Sequence, residues 1–248
     1  MEHAEYEMMY RAEDHHWWYR GMRAITRAVI DRFVARDHGE PLRILDAGCG
    51  TGSTLEYLQD YGWTVGIDLA SEAVGFCTER GLPRLAQASI LELPFAEGSF
   101  DLVTSFDVMS SCQRAQAPQA LAEFFRVLRP GGHLLLRLPA YMWLHGKHDV
   151  LVHTMHRYTR GEVRALLRQQ GFTIERTSYA NCLLFPLAAL KRIKDRLLPP
   201  RQACSDVSVT GGWMNPLFGG LLRSEAPLVS RVGLPFGLTV LALARKPG

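Results

Sequence analysis

Short apolar runs and amphipathic stretches alternate along most of this chain, and the alternation predicts a sheet wound with helices. Apolar runs place strands at 42–47, 62–68, 84–88, 101–106 and 133–138. Helical spacing places helices at 53–60, at 71–80 from a Ser71 cap to a Gly81 stop, and at 117–128 before the breaker Pro130-Gly131-Gly132. A helix at 160–170 stops at Gly171 before a strand at 172–179, and Gly237-Leu-Thr-Val-Leu-Ala-Leu-Ala244 reads as the last strand. Upstream, Ile25, Val29, Ile30 and Phe33 recur with helical period. Between the last two strands lie residues 183–234, roughly fifty positions, far longer than an ordinary connection. There Leu187, Leu190, Ile193 and Leu197 share one helical face, away from Lys191, Lys194 and Asp195. The Ser/Gly-rich stretch 205–212 reads as a joint, and 216–232 predicts a helix pair.

The chemistry concentrates where the first two strands end. Arg43-Ile-Leu-Asp-Ala-Gly-Cys-Gly-Thr-Gly-Ser53 joins a strand ending on an acid to a glycine-rich turn, and Val65-Gly-Ile-Asp68 ends the next strand on a second acid. That spacing is the βαβ spacing of a nucleoside site. Glycines at 48, 50 and 52 let the backbone turn sharply and a ligand press against it. Ser53 occupies the third glycine position of a dinucleotide fingerprint, and Asp46 is ill placed for a pyrophosphate but well placed for a cation. A ligand with a ribose and a positive charge, such as S-adenosylmethionine, fits better than NAD.

Asp46-Ala-Gly-Cys-Gly-Thr-Gly52 resembles the first motif of class I S-adenosylmethionine-dependent methyltransferases. Leu93-Pro-Phe-Ala-Glu-Gly-Ser-Phe-Asp-Leu-Val-Thr104 and Val127-Leu-Arg-Pro-Gly-Gly-His-Leu-Leu-Leu136 resemble the family's fourth-strand region and its entry to the fifth strand, in the family's order. The resemblance implies an α/β fold with a doubly wound, seven-stranded, mostly parallel Rossmann-like sheet in one domain. Residues 1–36 would form an N-terminal helical cover, 37–182 the cofactor core, 183–234 a helical lid or insertion, and 235–248 the last strand.

It also implies a cofactor site. Asp46 would favour the ammonium of S-adenosylmethionine, and Gly48, Cys49, Gly50 and Gly52 would surround its methionine portion. Asp68 would accept both ribose hydroxyls, with Leu69 beside it and Phe106 at the end of the fourth strand. Without the ligand, Asp46 reads as a turn residue and Asp68 as a cap for the helix after it. Ser89 replaces the acid that faces adenine in many relatives, leaving the Ser89 hydroxyl and Ile90 packing for that task. His15-His-Trp-Trp-Tyr-Arg-Gly-Met-Arg23 resembles an N-terminal H-W-W-x-R signature of one methyltransferase branch, with an H-D…R-Y-T counterpart at His148-Asp149 and Arg157-Tyr158-Thr159. It implies that Tyr19 and Arg23 reach the cofactor carboxylate; an aromatic staple against the sheet edge accounts for the same residues.

The acceptor side is less specified. Ser110-Ser111 replaces an acid-histidine pair common after the fourth strand, and no N-P-P-Y-type tetrapeptide for base or glutamine amides is present. The loop 141–158 follows the fifth strand, where open sheets bind ligands, and carries His145, His148, His153, His156, Lys147 and Arg157. His148, His156 and Tyr158 are candidate bases there. No metal-ligand spacing occurs.

A hydrophobic fraction of 47% and charged fraction of 21% suit a soluble globule, and a net charge of +3 does not call for nucleic acid. The cysteines at 49, 77, 112, 182 and 204 show no C-x-x-C pairing, so reduced thiols in a cytoplasmic protein are expected. No apolar signal or spanning segment is visible, although the basic amphipathic stretch admits peripheral membrane contact. The expected activity is methyl transfer to oxygen or carbon of a small, lipophilic metabolite, phosphate-bearing ones included. Methylation of a membrane-associated lipid-linked glycan, or a cofactor-binding but silent partner protein, are the alternatives. The oligomeric state is open.

Overall fold

The computed structural model describes residues 3–34, 40–197 and 213–248. Two N-terminal helices, α1 (His3–Ala12) and α2 (Trp17–Phe33), precede β1 (Leu42–Ala47), α3 (Ser53–Leu58), β2 (Gly62–Asp68), α4 (Ser71–Glu79), β3 (Leu85–Gln87) and β4 (Phe100–Phe106). Then come α5 (Ala117–Val127), β5 (Leu128–Pro139), α6 (Lys147–Leu151), α7 (Arg160–Gln169) and β6 (Thr173–Ala180). Three helices, α8 (Phe185–Leu197), α9 (Met214–Ser224) and α10 (Ala226–Arg231), separate β6 from β7 (Thr239–Arg245).

The strands form one sheet in the order β3-β2-β1-β4-β5-β7-β6. All run parallel except β7, which pairs antiparallel with β5 and β6. The expected doubly wound, seven-stranded sheet is therefore present. Side chains alternate across it: Leu42 and Ile44 join the layer of α2, whereas Leu45 and Ala47 join the layer of α5 and α7. Because β1, β4, β5 and β6 run the same way, their carboxyl ends share one edge, where Asp46, Asp107, Tyr141 and Asn181 lie.

Three expectations need correction. The fifth strand begins at Leu128 rather than 133: Leu128 pairs with Phe100, a bulge spans the Pro-Gly-Gly segment, and pairing resumes at Leu102–His133. Ser71 is not the cap of α4; Ala70 holds that place, and Ser71 Oγ hydrogen-bonds Glu72. The inserted helices do not form one apolar lid. Leu222, Ala226 and Val229 of α9 and α10 pack with Met22, Ile25 and Val29 of α2 in the core layer on one sheet face. Gly21 admits this, since a Cβ there would sit 2.5 Å from Leu222 Cγ. Asn215 Oδ1 accepts from Trp17 N at 2.7 Å, fastening α9 to the start of α2. The expected joint at 205–212 lies outside the described residues.

Candidate active site

The turn after β1 is shaped by three glycines with positive φ, +88° at Gly48, +54° at Gly50 and +94° at Gly52. Gly48 is forced by space as well, because a Cβ would lie 2.1 Å from Val108 Cγ2. Gly48 N and Cys49 N both donate to Ile67 O at 2.8 Å, drawing the turn against the end of β2. Behind it Asp46 is 1% exposed. Its Oδ1 accepts from Thr104 Oγ1 at 2.7 Å, and its Oδ2 is buried without a partner. Burial pushes the Asp46 carboxyl up to about 7, against the Thr104 hydrogen bond and Arg137, which favour the anion.

Asp68 accepts from Gly50 N through Oδ2 and from Ala70 N through Oδ1, each at 3.0 Å. It therefore joins the glycine turn to the start of α4, and retains lone pairs for further donors. Burial raises its titration despite these amides. Leu69 beside it is 69% exposed, an apolar surface open to a flat ligand. Ile90 is buried in the same cluster as Ala47 and Ile67, whereas Ser89 Oγ accepts from Leu91 N at 3.1 Å and serves a local turn. Cys49 is buried, with its Sγ 3.7 Å from Cys77 Sγ.

The N-terminal segment covers this turn. Glu13 is 6% exposed and accepts from Thr51 Oγ1 at 2.5 Å and Arg80 Nη2 at 3.0 Å. Arg80 also donates through Nε to Thr51 O at 2.7 Å and lies 4.6 Å over the Tyr10 ring. Burial outweighs both partners and pushes Glu13 up to about 7. Arg23 Nη2 donates to Ser53 Oγ at 2.8 Å, so the guanidinium stands where the glycine turn enters α3. Tyr19 packs edge-on against Trp18 at 4.9 Å, and burial raises its titration with Glu13, Arg137 and Asp107 nearby. The signature segment thus acts both as staple and as a line of polar groups toward the turn.

Along the same edge, Asp107, Tyr141 and Asn181 take positive φ of 64°, 59° and 59°, uncommon for residues with a Cβ. Asp107 accepts from Arg137 Nε at 2.8 Å. The Arg137 guanidinium lies between the rings of Trp18, at 4.9 Å, and Phe106, at 4.6 Å. Tyr141 stacks on Tyr179 at 5.1 Å, and Phe185 packs on Tyr141 at 5.8 Å and on Trp143 at 6.0 Å. These rings form an aromatic wall beside the ends of β5 and β6.

The loop 141–158 is closed by an ion pair. Asp149, 1% exposed, accepts from Arg157 Nε at 2.8 Å and Gly146 N at 2.7 Å. Met155 N and His156 N donate to Ser110 O at 2.8 and 3.1 Å, binding the loop to the turn after β4. The H-D…R-Y-T residues are thus a structural clasp, and Ser110 is a backbone anchor. The histidines do not act as one cluster: His145 Nε2 contacts Thr154 O at 3.0 Å, and His156 Nε2 lies 3.4 Å from Glu162 Oε1. Tyr158 is 1% exposed, donates to Met109 O at 3.4 Å and is pushed up to about 12 by burial. Its candidacy as a base is corrected: it is a core residue. His148 is half-buried, with Nδ1 enclosed and lacking a hydrogen-bond partner.

Glu13, Arg80, Asp107 and Arg137 were not candidates from sequence. Only Arg137 carried a signal, a charge inside the apolar strand Leu134-Leu-Leu-Arg-Leu138. Among the described residues no group of His, Cys, Asp or Glu could hold a metal ion.

The arrangement suits a ligand with an ammonium, a ribose and an apolar base. Asp46 offers a buried unpartnered oxygen, the turn has no room for side chains at Gly48, and Asp68 and Leu69 stand at the next strand end. Comparison with known proteins agrees. Residues 45–136 match the family model described as "Methyltransferase domain". A probable S-adenosylmethionine-dependent methyltransferase of Mycolicibacterium smegmatis is 28% identical over 169 residues, covering 66% of this chain and 62% of that protein. A malonyl-[acyl-carrier protein] O-methyltransferase of Enterobacter lignolyticus is 36% identical over 109 residues, 43% of this chain and 41% of that protein. The chain thus spans less than two thirds of the length of these curated relatives. A solved complex of the Haloferax volcanii Trm112 methyltransferase activator with a putative methyltransferase aligns over 99% of this chain and 94% of that one, with TM-score 0.62 and 21% identity. Residues 45–136 thus match a methyltransferase domain, and the chain carries it in the fold of the class I S-adenosylmethionine-dependent methyltransferases.

Proposed function

We propose that this chain transfers a methyl group from S-adenosylmethionine to an oxygen or carbon of a small lipophilic acceptor. The observation that carries the proposal is Asp46, a carboxylate buried behind the glycine turn with one oxygen unpartnered. A buried acid left half-satisfied costs free energy unless a ligand completes it, and an ammonium does so with opposite charge. When bound, S-adenosylmethionine supplies an electrophilic methyl carbon on a sulfonium.

The chain's own residues bind, orient and exclude water. Asp46 holds the ammonium, Asp68 the ribose hydroxyls, and Arg23 at the start of α3 the carboxylate. Leu69 and Ile90 offer apolar surface to the base. The segment α1–Glu13 closes over the turn, excluding water from a displacement that depends mainly on alignment. The aromatic wall of Tyr141, Trp143, Tyr179 and Phe185 suits an apolar acceptor, and Arg137, held between two rings beside Asp107, suits an anionic group on it. His148 serves as proton acceptor in this reading: of the two histidine candidates, its buried Nδ1 has no hydrogen-bond partner, whereas the buried Nε2 of His156 faces Glu162.

Incubation with methyl-labelled S-adenosylmethionine and a panel of lipophilic phenols, carboxylic acids and phosphates tests the proposal. Labelled product with equimolar S-adenosylhomocysteine is expected for at least one class. Cofactor binding without turnover on any class would favour a silent partner protein.

A further inference from the structure

Among the described elements, the inserted helix α8 turns a continuous apolar side to solvent. Leu187, Leu190, Ile193 and Leu197 are 58%, 64%, 49% and 75% exposed, and Leu183 just before the helix is 51% exposed. At 3.6 residues per turn these positions form one stripe along thirteen residues, whereas Phe185 faces the body of the protein. The helices that follow do not cover this stripe, because α9 and α10 are spent on α2. Lys191 and Lys194, both exposed, stand beside the stripe at 100° per residue, which corrects the expectation that they lie on the opposite face. Counting Lys191, Arg192, Lys194 and Arg196 against Asp195, the helix sequence carries +3, the same as the formal charge of the whole chain.

We propose that α8 docks this protein on an anionic lipid bilayer, lying in the interface with its leucines among the acyl chains and its lysines at the headgroups. The charge decides the occupant. A second copy would bring a +3 helix against a +3 helix, whereas an anionic bilayer offers both the apolar layer and the opposite sign. Trp143, 40% exposed and packed on Phe185 at the start of α8, extends the same surface with a ring suited to the headgroup level. No described helix is long and apolar enough to cross the membrane, so the contact is peripheral.

The position of α8 gives the docking a consequence. It starts just after the end of β6, and Phe185 touches Tyr141 and Trp143 after the end of β5. The bilayer surface is thereby brought to the aromatic wall of the acceptor site, and the acceptor is one that partitions into lipid. That consequence rests on the proposed methyl transfer; the docking itself does not.

Co-sedimentation of the full chain with vesicles of phosphatidylglycerol and phosphatidylcholine, beside vesicles of phosphatidylcholine alone, tests the docking without cofactor. Association with the anionic vesicles is expected, weakened by salt and absent or much weaker on the neutral ones. Lys191→Glu with Lys194→Glu is expected to lower partition by at least about fivefold per lysine. Leu187→Asp with Leu190→Asp is expected to lower it at least about tenfold while leaving thermal melting unchanged, because both positions are exposed. Failure to bind anionic vesicles overturns the proposal. So does binding indifferent to the leucine substitutions, which would indicate an acidic macromolecule, or a dimer in gel filtration that those substitutions dissolve. Calorimetric binding of S-adenosylmethionine, measured separately, reports on the methyl-transfer reading alone.

Discussion

Arg80→Ala removes the side chain that ties three segments together. In the native protein its guanidinium pairs with Glu13 at 3.0 Å, donates to Thr51 O at 2.7 Å and covers Tyr10 at 4.6 Å. Both partners of the pair are buried, Arg80 at 9% and Glu13 at 8% side-chain exposure. Removing one partner of a buried pair costs about 3–5 kcal/mol when the other must stay charged. Glu13 has an escape, since its carboxyl already titrates at about 7 and protonates more readily still without Arg80. The loss is therefore expected to depend on pH: about 3 kcal/mol or more at pH 8.5, and about 1–2 kcal/mol at pH 5.5, where the Thr51 hydrogen bond, the Tyr10 contact and the half-exposed Asp14 pair are missing but no charge is left buried at Glu13. The chain can also undock α1 instead of unfolding, which limits the global loss to the docking free energy of that helix. Hydrogen exchange of the α1 amides reads undocking directly, and urea denaturation reads the remainder. Protection of residues 5–12 is expected to fall at least about tenfold at pH 8.5 and less at pH 5.5. Unchanged protection at pH 8.5, or a loss independent of pH, would refute the idea that Glu13 and Arg80 hold the cover on the turn.

In the wild type, Glu13 rises from 4.5 to about 7 on folding, so its contribution is full below about pH 4.5 and lost as pH rises through 7, roughly 3 kcal/mol in all; Glu13→Gln should flatten that slope in urea titrations across pH 5–8.5. Asp46 titrates at about 7 without ligand, and an ammonium beside it favours the anion. Binding of S-adenosylmethionine at pH 6 should therefore release protons, seen as a calorimetric heat that changes with buffer ionisation enthalpy and disappears in Asp46→Asn. Gly48→Ala puts a Cβ 2.1 Å from Val108 at a φ of +88°, so about 2–4 kcal/mol of stability and the cofactor affinity should be lost together in thermal melts with and without ligand. His148→Ala should lower turnover at least about 100-fold with cofactor affinity unchanged, whereas Tyr158→Phe should keep turnover within about threefold and cost about 1 kcal/mol.

Strand and helix placement was legible because parallel strands buried on both faces read as continuous apolar runs. The glycine turn was legible because Gly48, Gly50 and Gly52 answer a backbone requirement that leaves few alternatives. The start of β5 was not, since a bulge allows Pro130-Gly131-Gly132 inside a strand where composition suggests a break. The histidines of 145–156 show the limit of proximity in sequence: four rings within twelve residues suggested one catalytic group, yet backbone and Glu162 contacts draw His145 and His156 into separate tasks. Tyr158 illustrates the same limit, because nothing in Arg157-Tyr-Thr159 tells an outward tyrosine from one sealed in the core. Glu13 and Arg80 meet across 67 positions, and no local pattern announces such a pair. The apolar stripe of α8 was visible, but whether it faced core or solvent depended on α9 and α10 taking the place on α2.

The most direct test of the account is calorimetric titration of S-adenosylmethionine into the wild type and into Asp68→Ala, with melting curves to check that both are folded. The account predicts one site per chain in the wild type and at least about 100-fold weaker binding in the variant, since two charge-assisted hydrogen bonds to the ribose, each about 1.5–3 kcal/mol, are lost. A folded wild type that binds no S-adenosylmethionine at millimolar concentration, or an Asp68→Ala variant that binds as well as the wild type, would contradict the assignment of this edge of the sheet as the cofactor site.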